Sequence, residues 1–158
     1  MRMRTLVAAL VAAVALAIAV PASAQQPLTY GPNIGLDQAK ALAAAAMAEA
    51  KKNNWTIVVA IVDTGGHLVY LERMDHTQIA SVEVATQKAW SANGFKRPTK
   101  AFEDSVMGGR TVTLRAPGAL PIEGGVPIVV GGKIIGGIGI SGATSAQDGQ
   151  VAAAALAT

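Results

Sequence analysis

The sequence runs to 158 residues, with 13 Lys and Arg, 10 Asp and Glu and no cysteine. The absence of thiols excludes disulfides, thiolate metal sites, a cysteine nucleophile and C-x-x-C-H attachment of haem. No basic stripe with interleaved aromatic residues is present, which argues against nucleic acid as a partner.

The chain opens with the three parts of a secretory signal: basic Met1-Arg2-Met3-Arg4, an unbroken apolar run from Leu6 to Val20, and the small residues Ala22-Ser23-Ala24. The apolar run is shorter than the roughly 20 residues a membrane span needs. Residues 1–24 are therefore expected to be removed before Gln25, leaving residues 25–158 as one periplasmic or secreted domain with no membrane attachment. Loss of Arg2 and Arg4 takes the basic residues from 13 to 11 against 10 acidic ones, and the formal charge from +3 to +1. A domain of this length buries a core without staples.

Gln25 to Gly35, with Pro27, Gly31 and Pro32, reads as an extended lead-in. Leu36 to Asn53 has Ala39, Leu42, Ala43, Ala46, Met47 and Ala50 near helical spacing, Asp37 at its start and Lys51-Lys52 at its end, so it predicts a helix. Trp55 to Asp63 and His67 to Met74 predict a hairpin around Asp63-Thr64-Gly65-Gly66. Gln78 to Asn93 returns to helical spacing through Ile79, Val82, Ala85, Ala89 and Trp90, with Gly94 placed as the left-handed residue that ends it. Thr99 is positioned to cap a short helix from Lys100 that Gly108-Gly109 closes. From there to Gly118 no periodicity stands out. Leu120 to Ile122 suggests a short strand before the Glu123-Gly124-Gly125 turn, and Val126 to Val130 and Lys133 to Ile140 form a second hairpin around Gly131-Gly132. Ser145-x-x-Asp148 fits a capping box for a last helix through Leu156. This order of helices and hairpins predicts an α+β domain, with helices covering an antiparallel sheet of about five strands.

Gly137-Ile138-Gly139-Ile140-Ser141-Gly142 matches G-x-G-x-x-G, the pattern of a dinucleotide-binding loop. The residues after Gly142, up to Thr158, leave room for one helix and no second strand to carry a ribose-binding acid. The glycines therefore predict room for a close helix, another subunit or a flat ligand. Gly139-Ile140-Ser141-Gly142-Ala143 also lacks the last glycine of a serine-hydrolase elbow.

RMDHTQIASVEVATQKAWSANGFKRPTKAFED (Arg73 to Asp104) and GALPIEGGVPIVVGGKIIGGIGISGATSAQDGQVAAAA (Gly118 to Ala155) resemble the two signature regions of the GlcG/HbpS-type family. This is the haem-binding or haem-degrading domain also found joined to some corrinoid adenosyltransferases. The resemblance extends from the first helix to the C-terminus, essentially the whole of the expected domain, residues 25–158. It implies a profilin-like α/β/α sandwich with a five-stranded antiparallel sheet, homo-oligomeric assembly, and a haem, corrinoid or iron ligand. Two departures stand out. The family often has a glycine after the Arg-Met-Asp run, where this chain has His76, and the acidic His-x-x-Glu-x-x-Glu iron helix of some secreted members is missing, so that iron site does not carry over.

Noncovalent haem binding needs an apolar slot, an iron ligand and cations for the propionates. Of the two histidines left after the leader, His67 follows a tight turn and reads as a solvated hairpin residue. His76, between a strand and a helix beside Arg73, Met74 and Asp75, is the candidate iron ligand, against the alternative of a solvated loop histidine. Arg73, Arg97, Lys100 and Arg110 are candidate propionate partners or surface ion-pair members. Met74 and Met107 are candidate thioether ligands or core fillers. Glu123 is presented at a turn, where it serves either a ligand or the turn itself, and Gly124 and Gly125 beside it offer close backbone approach. Three functions follow as expectations. They are a secreted or periplasmic haem (tetrapyrrole)-binding protein, a cofactor-independent enzyme using His76, Arg97 or Glu123 on a small organic substrate, and a structural or regulatory homo-oligomer.

Overall fold

A computed structural model describes residues 27–158; the predicted leader, residues 1–24, lies outside them. The elements run β1 (Thr29–Tyr30), α1 (Leu36–Lys52), β2 (Val58–Asp63), β3 (Leu68–Arg73), α2 (Ser81–Phe95), α3 (Lys100–Met107), a 3-10 turn (Thr111–Arg115), β4 (Gly125–Val130), β5 (Lys133–Ser141) and α4 (Ser145–Leu156). None of these helices is long and apolar enough to cross a membrane.

Helix α1 buries Ala39, Ala43, Ala46, Met47 and Ala50, one stripe at helical spacing. Strand β2 is buried on both faces. Its Val59 and Ile61 join the core under α1 and α4, and its Val58 and Ala60 pack with Ala85 of α2, as alternation along a strand requires. The result is three layers: α1 and α4, the sheet, and α2.

Antiparallel pairing gives the order β4-β5-β2-β3, with both predicted hairpins in place. At the tip of the second, Gly131 and Gly132 both take positive φ, 56° and 76°, as a tight two-residue hairpin demands. The sheet is mixed, however, and not purely antiparallel. Its fifth strand is β1, which runs parallel to the start of β5 through Thr29↔Lys133 and Tyr30↔Ile134. The lead-in is thus tied down, with Gly31 and Ile34 donating to the carbonyls of Ile134 and Ile135. Leu120 to Ile122 is not a strand, because Ile122 N–H turns back to the Leu120 carbonyl and Leu120 N–H donates to Ser91 Oγ.

Four local expectations shift. Helix α2 starts at Ser81, not Gln78, and leaves Ile79 83% exposed. It ends at Phe95, with Lys96 as the left-handed residue at φ 56°, because Gly94 stays helical against the Trp90 ring. Thr99 does not cap α3; its hydroxyl accepts from Gly125 N–H at 2.9 Å and pins the Glu123–Gly125 turn. The capping box of α4 is Thr144 with Gln147, which frees Asp148 for a buried ion pair.

Candidate functional site

The sequence-derived site residues fall in three places. The first is the junction between β3 and α2. Met74 N–H donates to the Ile57 carbonyl, Ile57 N–H donates to Met74 Sδ at 3.4 Å, and Thr77 Oγ1 donates to the same Ile57 carbonyl. These bonds fasten the junction to the start of β2 and give the Met74 sulfur a partner within the fold. His76 is exposed and left-handed, at φ 65°. That conformation accounts for the glycine of the family pattern, since glycine adopts it without steric cost and histidine is among the few side chains that tolerate it. A depression of about 400 Å³ lies beside it, lined by Lys51, Thr56, Glu72, Arg73, Met74 and Asp75.

The second place lies past the other end of α2. Arg97 and Arg110 share a cavity of about 560 Å³ with Arg115 and the ring of Phe102. The Arg97 guanidinium sits 5.6 Å from the centre of that ring, which Phe95 meets edge-on. Sequence reasoning missed Arg115 because it lies in the stretch without periodicity. A helix of 15 residues is about 20 Å long, so α2 holds His76 and Arg97 at opposite ends of one chain.

The third place is the Glu123–Gly125 turn. Gly124 and Gly125 are buried, and the space their side chains would need is taken by Lys88, Thr99 and Ile140. Glu123 N–H donates to Glu103 at 2.7 Å, and its carboxylate lies over Gly149 of α4. Burial pushes the Glu123 carboxyl above its ordinary range; Lys100 opposes the push, and Glu103 and Asp104 add to it. Beneath the turn, Lys88 Nζ donates to Asp148 at 2.8 Å and to the Ile140 carbonyl at 2.9 Å. Lys88 carries a sequence signal that went unread: it falls on the buried stripe of α2 with Ala85, Ala89 and Ala92.

Among the described residues, none of His76, Arg97 and Glu123 hydrogen-bonds with another; Arg97 Nε donates to the Phe95 carbonyl and Glu123 N–H to Glu103. Likewise, no group of three or more His, Asp or Glu gathers as a metal cage there. Met107, at the end of α3, is 81% exposed.

Residues 34–157 match the family model for haem degrading protein HbpS-like. Protein GlcG of Escherichia coli K12 is 48% identical over 103 residues, covering 65% of this chain and 77% of that protein. The crystal structure of PduOC in complex with haem superposes with a TM-score of 0.72 at 30% identity, covering 79% of this chain and 94% of that one. That of a double mutant of Streptomyces reticuli HbpS gives 0.73 at 30% identity, covering 96% and 97%. Family match and shared fold agree, and the chain belongs to the HbpS-like haem-degrading protein family.

Proposed function

We propose that this protein binds haem, or a closely related tetrapyrrole, reversibly and without a covalent link. The observation that carries the reading is the β3–α2 junction, where the exposed His76 and Ile79 follow directly on a depression lined by Lys51, Arg73 and Met74. His76 offers a ligand to iron, Arg73 and Lys51 line the adjoining depression, and Ile79, three residues on, is 83% exposed. Haem would supply a redox-active iron; the chain supplies the imidazole, a guanidinium for a propionate and apolar cover. The haem complex of PduOC, a relative with the same fold, supports the reading. Arg73, which lines the depression next to Asp75, is the propionate partner in this reading, while Arg97 and Arg110 line the other cavity.

Titration of haem into the apoprotein should give a saturable Soret band. His76→Ala should shift that band and weaken binding about tenfold or more, Arg73→Gln should weaken it with the band unmoved, and His67→Ala should change neither. Unchanged affinity and spectrum in His76→Ala would remove the ligand assignment, and no saturable binding by the wild type would remove the function.

The leader-like residues 1–24 and the family support an exported homo-oligomer larger than a dimer, working in the periplasm or outside the cell. Native mass spectrometry of protein from its own host should return a multiple of the chain beginning at Gln25. Monomers, or chains that retain Met1, would contradict this.

A further inference from the structure

We infer that the cavity under Arg97, Arg110 and Arg115 is a second ligand site, for a small organic dicarboxylate with a flat apolar body, independent of haem at His76. Arg97, Arg110 and Arg115, all exposed, line one open cavity of about 560 Å³, within the usual size of small-molecule sites. None of the three has a carboxylate partner among the described residues, where the acids of α3 are engaged elsewhere: Asp104 with Lys100, and Glu103 with the Glu123 backbone. Cations without carboxylate partners on the rim of one cavity favour an anion there.

The cavity is also built to hold its shape. Arg110 N–H donates to the Ser105 carbonyl and Thr113 N–H to the Arg110 carbonyl, while the hydroxyls of Ser105 and Thr113 stand 3.2 Å apart in a hydrogen bond. These bonds fold the 3-10 turn back onto α3 and set Arg110 and Arg115 across from Arg97. Arg97 is held from below by the Phe102 ring and through Nε by the Phe95 carbonyl at 3.3 Å. Phe102, with Val112 and Ala116, gives the cavity an apolar wall. Planar forks that grip carboxylates bidentately, set beside an aromatic surface, select an anion with a flat hydrocarbon face over a hydrated inorganic one.

Two sources share this chemistry: a free dicarboxylic acid and the propionate edge of a tetrapyrrole. Isophthalate, titrated calorimetrically into the haem-free protein, is the probe. Saturable binding of one isophthalate per chain is expected, weaker for benzoate and much weaker for sulfate. Arg110→Gln and Arg115→Gln should each lower the affinity about tenfold, Arg110→Lys should lose most of that affinity while keeping the charge, and Arg73→Gln should leave it unchanged. Absence of saturable binding, equal binding by the Gln variants, or sulfate as strong as isophthalate would overturn the site. Saturating the protein with haem beforehand should leave the isophthalate isotherm unaltered. Competition would overturn the independent site and give the cavity to a propionate. The Soret band reports separately on haem at His76, so either reading can fail alone.

Discussion

Lys88→Met is expected to lower the stability of this domain at neutral pH by about 3–5 kcal/mol, the cost of stranding one member of a buried ion pair. The side chains of Lys88 and Asp148 are 1% and 3% exposed, with Nζ 2.8 Å from Oδ2. The pair joins α2 on one face of the sheet to α4 on the other, and the amine also donates to the Ile140 carbonyl at the end of β5. Without it, the Asp148 carboxylate keeps the Ala143 N–H at 3.1 Å and no cation. Burial pushes the Asp148 carboxyl above its ordinary value, and Lys88 is the main influence that pulls it back. Removing Lys88 therefore raises it further.

The pH dependence follows from that direction. A carboxyl whose folded pKa lies above its unfolded value binds its proton more tightly in the native state, so stability rises as the pH falls through the folded pKa. The deficit of Lys88→Met should be full above that pKa and shrink on acidification through a window above the ordinary carboxylate range. Lys88→Met/Asp148→Leu should recover most of the loss at neutral pH, since an apolar pair replaces the charges without stranding either. Urea midpoints at constant slope measure all three. A Lys88→Met loss under about 1 kcal/mol, or a double variant no better than the single one, would refute the account.

Patterns that repeat within a few residues were legible from the sequence; those that depend on distant partners were not. The alanine stripe of α1, the hairpin of β2 and β3, and the glycine pair between β4 and β5 are local and hold. Strand β1 has two residues and no pattern of its own; it exists because the start of β5 offers an unpaired edge beside β2. Lys88 and Asp148 are 60 residues apart, and each alone looks like a surface charge. Asp148 fits a capping box from Ser145 as well as Thr144 and Gln147 do from one residue earlier, and only its burial against Lys88 decides between them. At the candidate site, the glycine expected where His76 stands was a sign of positive φ. Arg115 had no sign at all, because a 3-10 turn carries no amphipathic repeat long enough to read.

The glycine run that resembles a nucleotide loop carries the other large expected effect. A side chain at Gly139 would overlap the Ala85 carbonyl oxygen and lie 2.6 Å from the Ala89 nitrogen. These are backbone atoms of α2, which no rotamer change can move. Gly137 meets the Ala89 backbone and Gly125 the Lys88 backbone in the same way, so α2 rests on the bare main chain of β5 and β4. Gly139→Ala therefore requires the helix to retreat, loosening Ala85, Ala89 and Ala92 together, and should cost about 3 kcal/mol, the upper end of ordinary overpacking. Gly139→Val should not fold at all. Gly35→Ala is the matched control: φ there is −82° and an added Cβ would meet nothing within 4 Å, so its midpoint should stay within about 1 kcal/mol of wild type, the small loss of alanine at the N-cap of α1. If the glycines were instead a cradle for a phosphate, Gly139→Ala would keep its thermal midpoint and lose only a ligand. A Gly139→Ala variant as stable as Gly35→Ala would remove the close helix as the reason for the glycines.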